Sequence, residues 1–129
     1  MADESYPADL RYHREHNWAR VDGDTAIFGI TWYAQDNLNE VVFFDPPNVG
    51  DTVTKDQPYA EIESIKTVSE LYAPLSGEII EVHDALAEAA AIVNEDPYGQ
   101  GWLVKVQLSD PAEAESLMTA EEYEATTRA

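Results

Sequence analysis

The sequence contains no cysteine and few basic residues, and both absences narrow what the chain can do. Of its 129 residues only 7 are Lys or Arg, against 26 Asp or Glu, which gives a formal net charge of −19. Without cysteine the chain forms no disulfide, thiolate nucleophile or Cys-ligated metal site. It also lacks the clustered Lys and Arg that bind nucleic acid or an anionic membrane surface. We therefore expect neither of those partners.

Long apolar segments are also missing. No stretch approaches the ~20 apolar residues that span a bilayer, and the acidic residues 1–5 do not resemble the basic start of a signal peptide. The length and the 44% hydrophobic content suit one domain with its own core. We therefore expect a cytoplasmic monomer, with a polar N-terminal arm over residues 1–9 and a single domain over residues 10–129.

Short strand-like runs separated by turn residues occupy most of the chain. Trp18–Val21 and Thr25–Ile30 flank a turn that contains Asp22 and Gly23, and Asp-Gly between apolar runs predicts a hairpin. Turns recur about every eight to twelve residues, which is typical of a small sandwich or barrel. Capping residues predict helical structure from Asp110 onward. The expected fold is mainly β with short helices, chiefly at the C-terminus.

Three further local patterns predict specific elements. Thr31 can cap a short helical turn, because its hydroxyl can accept a hydrogen bond from a free backbone N–H. The segments around Lys66 and around Gly77 each predict a hairpin, which suggests a pseudo-symmetric pair. Thr119 followed by Glu122 predicts a capping box at the start of the last helix.

No arrangement of side chains singles out a catalytic centre. The sequence lacks a Gly-rich phosphate loop and a Gly-x-Ser-x-Gly nucleophile motif. His13 and His16 are close in sequence, but no third ligand completes a metal site. The many carboxylates could form an acid–base pair, yet nothing selects one, and solvated surface residues are the simpler interpretation. We expect no catalytic residue and no metal.

Lys66 stands between two strand-like segments, Tyr59–Glu63 and Val68–Tyr72. A hairpin there places the lysine at an exposed tip, with carboxylates on both flanking strands. One interpretation is an ordinary surface lysine, whose exposed ion pairs contribute only about 0–1 kcal/mol. The other is a lysine presented for covalent modification, because a rigid tip suits a cofactor that swings between partners. The residues by themselves favour the ordinary interpretation.

The segment around this lysine resembles the lipoyl-lysine segment of glycine cleavage H proteins. Glu63–Glu70 reads ESIKTVSE, and the resemblance continues through Tyr72–Glu78. It returns, in order and at matching spacing, at Leu10–Tyr12, Gly29–Thr31, Ala34–Gln35, Glu40–Val42 and, most strongly, Val93–Trp102. Because several independent motifs match over most of residues 10–125, the resemblance favours the modified lysine.

The resemblance implies a lipoyl carrier rather than an enzyme. H proteins are barrel-sandwich hybrid domains that carry lipoate in amide linkage, here on Lys66. The lipoyl arm accepts an aminomethyl group from glycine decarboxylase, delivers it to an aminomethyltransferase and is reoxidised by dihydrolipoyl dehydrogenase. A lipoate ligase or lipoyl transferase attaches the group, which brings the thiols that the chain lacks. The residues expected around the cofactor are Glu63, Ser64, Ile65, Thr67, Ser69, Glu70, Asn17, Trp32 and Tyr33.

Several positions depart from the family pattern. Asn17 stands where the family usually has a Glu that is associated with holding the aminomethylated arm, so a charge-assisted partner for an amine is missing. Trp32, followed by Tyr33, stands where the family usually has Asp, and Asn39 replaces the usual Gly. These changes leave two alternatives open. One is a lipoate-binding protein of bacterial sulfur oxidation that works beside heterodisulfide-reductase-like subunits, and the other is a lipoate relay protein.

Overall fold

Two antiparallel β-sheets make up most of the structure, a computed structural model that describes residues 4–127. The strands, in chain order, are β1 (Arg11–Tyr12), β2 (Asn17–Asp22), β3 (Thr25–Ile30), β4 (Val41–Asp45), β5 (Thr52–Val53), β6 (Pro58–Ser64), β7 (Val68–Tyr72), β8 (Gly77–Val82) and β9 (Val104–Leu108). The helices are α1 (Trp32–Leu38), α2 (Ile92–Glu95) and α3 (Ala120–Thr127), with 3₁₀ turns at Asp84–Ala87 and Pro111–Ser116. The expected mainly β fold with short helices is confirmed.

One core joins the two sheets. The larger sheet has the strand order β1-β2-β3-β9-β8-β5 and the smaller sheet has the order β4-β6-β7; as described, neither closes into a barrel. Phe28 and Val106 from the larger sheet are buried in the same cluster as Phe44 and Ile62 from the smaller sheet. Burying such a side chain contributes about 1.5–3 kcal/mol. This core fixes the smaller sheet, which ends next to Lys66, against the larger one.

Local capping and turn patterns predict three of the elements correctly. Gly23 turns the β2–β3 hairpin with a φ of 64°, a conformation that glycine adopts without steric cost. The Thr31 hydroxyl accepts a hydrogen bond from Ala34 N at 3.2 Å and begins α1. In the capping box of α3, Thr119 N donates to Glu122 Oε1 at 2.9 Å and Glu122 N donates to Thr119 Oγ1 at 3.2 Å.

The predicted hairpin around Gly77 is wrong. Gly77 begins β8, which pairs with β5 and β9 and not with β7. Residues 73–76 instead carry the chain from the smaller sheet to the larger one, and Leu75 within them is fully buried. The segment resembles a tight turn locally, but the burial of Leu75 in the shared core makes it a crossover between sheets. It therefore does not mirror the hairpin at Lys66.

A cluster of tyrosines joins both ends of the described chain to β1. The ring of Tyr12 stacks on that of Tyr123 in α3 with centroids 5.0 Å apart, and Tyr6 packs edge-on against both rings. The Tyr12 hydroxyl also donates to Pro7 O at 2.7 Å. Tyr6 and Pro7 fall within the expected polar N-terminal arm over residues 1–9, of which residues 1–3 lie outside the described residues. Residues 6 and 7 are thus in contact with the rest of the fold.

The corner between α1 and β4 contains a strained residue. Asn39 follows α1 with φ 65° and ψ −146°, close to a region that glycine alone adopts readily. Its N–H donates to Gln35 O at 3.0 Å, and its carbonyl accepts from Asn94 Nδ2 at 2.7 Å. These hydrogen bonds on both sides hold the residue in this conformation. The usual Gly of the family at this position fits the same geometry without a Cβ.

We expect Asn39→Gly to raise the free energy of unfolding by about 1 kcal/mol. Relief of strain is worth roughly 1–3 kcal/mol, and the extra freedom of glycine in the unfolded chain offsets part of it. Urea unfolding followed by circular dichroism measures the change. Asn39→Ala is the control and should destabilise, because it keeps the Cβ and loses the tolerance of asparagine for positive φ. Equal stability of the two variants would show that the corner is unstrained.

Candidate functional site

The hairpin between β6 and β7 presents Lys66 on a turn that is hydrogen-bonded within itself. Ser64 N donates to Thr67 O at 2.8 Å and closes the turn. The buried Ser64 hydroxyl accepts from Lys66 N at 3.3 Å and Thr67 N at 3.2 Å. Lys66, Ile65 and Thr67 are exposed. The backbone of the tip is therefore fixed while the lysine side chain points away from the core.

A neighbouring segment supports the tip from the side. Ile65 N donates to Glu40 O at 3.0 Å, a hydrogen bond between the turn and the residue that precedes β4. Across β4 and β6, Val41 lies opposite Ser64. The position of the lysine thus depends on the corner formed by residues 39–41.

Asn94 in α2 holds that corner in place. Its Oδ1 accepts from Val41 N at 2.8 Å, and its Nδ2 donates to Asn39 O at 2.7 Å and to Gln35 Oε1 at 3.1 Å. Asn94 is buried, and its bonds to Val41 and Gln35 form away from competing water, whereas its bond to the exposed Asn39 is partly buried. One amide therefore connects α1, the corner and the first residue of β4. The sequence places Asn94 in the motif that matches best but does not reveal this role.

The three lysines have different surroundings. Lys55 Nζ lies 3.2 Å from Asp56 Oδ1 and is largely covered. Lys105 is half-buried on β9, opposite Ile27 on β3. Among the ion pairs found in residues 4–127, none includes Lys66. Lys66 is therefore exposed and belongs to no ion pair found in the described part of the chain.

A cleft lies beside β7, on the side of the smaller sheet that faces the β2–α1 region. It has a volume of about 320 Å³, and its lining includes His16, Asn17, Tyr33, Ser69 and Glu70. Four of these residues were expected near the cofactor from sequence, all except His16. They come from three separate elements, β2, α1 and β7, so folding alone brings them together.

Asn17 is buried at the start of β2 and is already engaged on one side. Its Oδ1 accepts a hydrogen bond from the Tyr59 hydroxyl at 3.0 Å. Burial raises the pKa of Tyr59, so its phenol stays protonated and donates. The carboxylates that line the same cleft belong to Glu15 and Glu70. The cleft therefore has acidic groups at its edge even though position 17 is a neutral amide.

The other expected site residues lie elsewhere. Trp32 begins α1, and its backbone N–H donates to the Tyr98 hydroxyl at 2.8 Å. It is not part of the cleft lining. Glu63 is exposed on the smaller sheet, opposite Phe43 on β4 and Val68 on β7. Ser64, Ile65 and Thr67 form the turn itself. The expected set is thus divided between the hairpin tip, the cleft and one exposed sheet face.

The two histidines near the cleft are neutral hydrogen-bonding groups. Glu15 N donates to His13 Nδ1 at 3.0 Å, so the ring proton lies on Nε2 and is donated to Asp56 Oδ1 at 2.6 Å. The pKa of His13 is lowered because burial outweighs the attraction of Asp56. Burial likewise lowers the pKa of His16, whose Nδ1 lies 2.7 Å from the Tyr123 hydroxyl. His13 thus connects residues 13–16 to Asp56, and His16 connects them to the last helix, α3.

Residues 4–127 contain neither a cluster of metal-ligating side chains nor a helix that could span a membrane. No group of three or more His, Asp or Glu side chains is arranged to hold a metal ion. No helix in that range is long and apolar enough to cross a bilayer.

The fold and the hairpin define a class of protein: a two-sheet β domain that presents one exposed lysine at the tip of a hydrogen-bonded hairpin. Residues 10–129 match the family described as Glycine cleavage H-protein. A glycine cleavage system H protein from Symbiobacterium thermophilum is 48% identical over 122 residues, which cover 95% of each chain. One from Bacillus pumilus is 48% identical over 124 residues, which cover 96% of this chain and 98% of that one.

A solved structure agrees with these sequence matches. The crystal structure of a glycine cleavage system H protein from Mycobacterium marinum has a TM-score of 0.87 with this fold at 40% sequence identity, covering 95% of this chain and 99% of that one. The chain therefore belongs to the glycine cleavage H-protein family. The sulfur-oxidation and lipoate-relay alternatives receive no support from these relatives.

We expect Asn94→Ala to lower the free energy of unfolding by about 3 kcal/mol, because it leaves the buried groups of Gln35 and Val41 without their partner and also removes the bond to Asn39 O. It should also speed hydrogen exchange at the Ile65 amide, since the Glu40 carbonyl loses its support. Urea unfolding and hydrogen-exchange mass spectrometry measure the two effects. Asn48→Ala, on an exposed loop, should change stability by less than about 0.5 kcal/mol. Unchanged exchange at Ile65 would contradict the link to the hairpin.

We expect the folded state to lose stability as the pH falls below about 6.5, the ordinary value for histidine. The lowered pKa values of His13 and His16 mean that the unfolded chain binds protons first, so acid favours unfolding. Urea midpoints at several pH values between 7.5 and 5.5, roughly one unit either side of that pKa, measure the loss. The double variant His13→Gln/His16→Asn should lose less, because it has no imidazole to charge. An equal loss in both proteins would refute this explanation.

Proposed function

We propose that this chain carries lipoate in amide linkage on Lys66 and shuttles an aminomethyl group between the enzymes of the glycine cleavage system. The observation that carries the proposal is the Lys66 amine, which is exposed and outside the described ion pairs at the tip of a fixed hairpin. Membership of the H-protein family supports the same pathway. In this role the chain is a carrier and not an enzyme.

The residues at the tip suit attachment of a long group. Amide formation removes the positive charge of the amine, and no described ion pair of Lys66 is lost as a result. The hydrogen bonds from Lys66 N and Thr67 N to the Ser64 hydroxyl keep the base of the side chain in position. The lipoyl group supplies the two thiols that the cysteine-free chain lacks and holds the aminomethyl group between enzymes. The protein supplies a rigid base for that group.

The cleft beside Ser69 is where we expect the end of the lipoyl arm to rest between encounters. An amine bound there would be cationic and would favour a carboxylate partner. Asn17 has no charge and its carbonyl is engaged by Tyr59, so Glu15 is the lining residue whose carboxylate can balance the charge. Glu70 alternates with Ser69 and Leu71 along β7, so its side chain lies on the opposite, exposed face of the sheet. Glycine decarboxylase, aminomethyltransferase and dihydrolipoyl dehydrogenase are the partners that follow from this function.

We expect a lipoate ligase supplied with ATP and lipoate to add one lipoyl group to the wild-type protein, seen as a single increment in intact mass. Lys66→Arg should remain unmodified, because a guanidinium does not form this amide. Lys55→Arg and Lys105→Arg are matched controls and should be modified like the wild type. Modification of Lys66→Arg at the wild-type level would disprove the assignment.

Transfer of the aminomethyl group has its own readout. The lipoylated protein should support exchange between bicarbonate and the carboxyl carbon of glycine with a glycine decarboxylase. Its absence in a folded, fully lipoylated sample would disprove the glycine-cleavage part of the proposal and leave the lipoyl attachment intact.

A further inference from the structure

Exposed apolar side chains cluster around the Lys66 hairpin, on and beside the outer face of the smaller sheet. In the described part of the chain, six large hydrophobic side chains are exposed, and four of them surround this hairpin. They are Val42 (48% exposed), Phe43 (46%), Ile65 (67%) and Val68 (55%). Clustered exposed apolar side chains commonly mark a surface that another molecule covers.

A β-bulge creates this exposure. The register between β4 and β6 shifts between Val41 and Phe43, so Val42 is an extra residue. In a regular strand, side chains alternate between the two faces, and Phe43 would follow Val41 into the core. Because of the bulge, Val42 and Phe43 both face outward while Val41 and Phe44 stay buried. Bulges often redirect side chains beside functional sites.

Carboxylates form a row directly beside the apolar side chains. Asp45, Glu61 and Glu70 lie opposite one another on β4, β6 and β7, and all three are exposed. Like charges on directly opposite residues destabilise a sheet. None of the ion pairs found in residues 4–127 includes any of the three. In this part of the chain, no ion pair therefore compensates the row of charges.

The two rows form one surface. Across the strands, Phe43, Glu63 and Val68 are in register, and Asp45, Glu61 and Glu70 form the next row. A small depression of about 140 Å³ lies among Phe43, Asp45, Glu61, Glu63 and Val68. We call this surface, defined by the six residues of the two rows, the β4–β6–β7 face. It is continuous with the hairpin that carries Lys66.

The chemistry of attachment indicates which partner covers this face. An enzyme that forms the amide must bring an acyl carbon within bonding distance of Lys66 Nζ, so its surface must lie against the hairpin. Enzymes that act on the dithiol are separated from the hairpin by the length of the lipoyl arm. An enzyme that holds an acyl adenylate also needs Arg or Lys around the phosphate. A basic surface around the active-site entrance of such an enzyme is complementary to the acidic row.

We propose that the β4–β6–β7 face is the docking surface for the lipoate ligase, with Phe43 and Val68 as the apolar contacts and Asp45, Glu61 and Glu70 as the charges that meet its basic rim. This inference rests on the proposed lipoyl attachment at Lys66. In the reaction, the neutral Nζ attacks the carbonyl carbon of the lipoyl adenylate that the ligase makes from lipoate and ATP. The N–C bond forms, the C–O bond to AMP breaks, AMP leaves with the electron pair, and the nitrogen loses a proton.

The apolar part is tested with Phe43→Thr/Val68→Thr, in which both replacements keep a strand-forming residue. We expect kcat/KM for lipoylation to fall about tenfold or more, as for central contacts in an interface. Val49→Thr removes a comparably exposed side chain outside the face and should stay within about twofold of the wild type. Urea unfolding checks that all variants are folded. Equal rates for the wild type and the double variant would overturn the proposal.

The charged part is tested with Asp45→Asn/Glu61→Gln/Glu70→Gln. Near 0.01 M salt, where charges act over about 30 Å, we expect this variant to be about tenfold slower than wild type. Near 1 M salt, where the range is about 3 Å, the two rates should converge. The control Glu78→Gln/Glu88→Gln/Glu115→Gln makes the same change in net charge at exposed positions outside the face and should match the wild type. An effect of equal size in both triple variants would overturn the proposal.

Further outcomes distinguish a failure of the proposed function from a failure of the docking proposal. If the wild-type protein gains no lipoyl group on Lys66, the proposed function fails, and the docking proposal fails with it. If Phe43→Thr/Val68→Thr is lipoylated normally but supports glycine exchange poorly once loaded, the face binds a different enzyme and the assignment to the ligase is wrong. The same holds if analytical ultracentrifugation shows that the wild-type protein self-associates through this face.

Discussion

The presentation of Lys66 depends on one buried amide. Asn94 satisfies groups on α1, on Asn39 and on Val41, and thereby holds the corner whose Glu40 carbonyl supports the hairpin. A buried amide with all its partners is rigid, because any movement leaves a polar group unsatisfied away from water. This rigidity lets a long flexible side chain stand on a fixed base.

Around this support the fold accepts several features that lower stability. Asn39 adopts a backbone conformation suited to glycine, Phe43 is exposed by a bulge, and three carboxylates face one another across the smaller sheet. All lie in or beside the segments that hold the Lys66 hairpin. Strain and exposed apolar surface concentrate where proteins act on other molecules. The six-stranded sheet and the aromatic cluster packed against β1 offset these costs.

Much of the local structure follows from short-range patterns. The Asp-Gly turn, the Thr31 cap and the Thr119–Glu122 capping box form as predicted, since each needs only residues within one turn. The Gly77 hairpin does not form, because the burial of Leu75 in the shared core outweighs a turn-like sequence. The cleft residues were expected near the cofactor only through the family resemblance, and Trp32 lies outside the cleft lining.

By itself the sequence determined the mainly β fold, the absence of thiol chemistry and the position of Lys66 between two strands. Only the tertiary structure decided how that lysine is held. Asn94 and Val41 are separated by 53 positions in the chain, and Asn17 and Tyr59 by 42. The outward-facing Phe43 likewise results from how β4 pairs with β6. Hydrogen bonds between distant segments and shifts of strand register leave no periodic pattern in the chain, because they depend on which segments meet after folding.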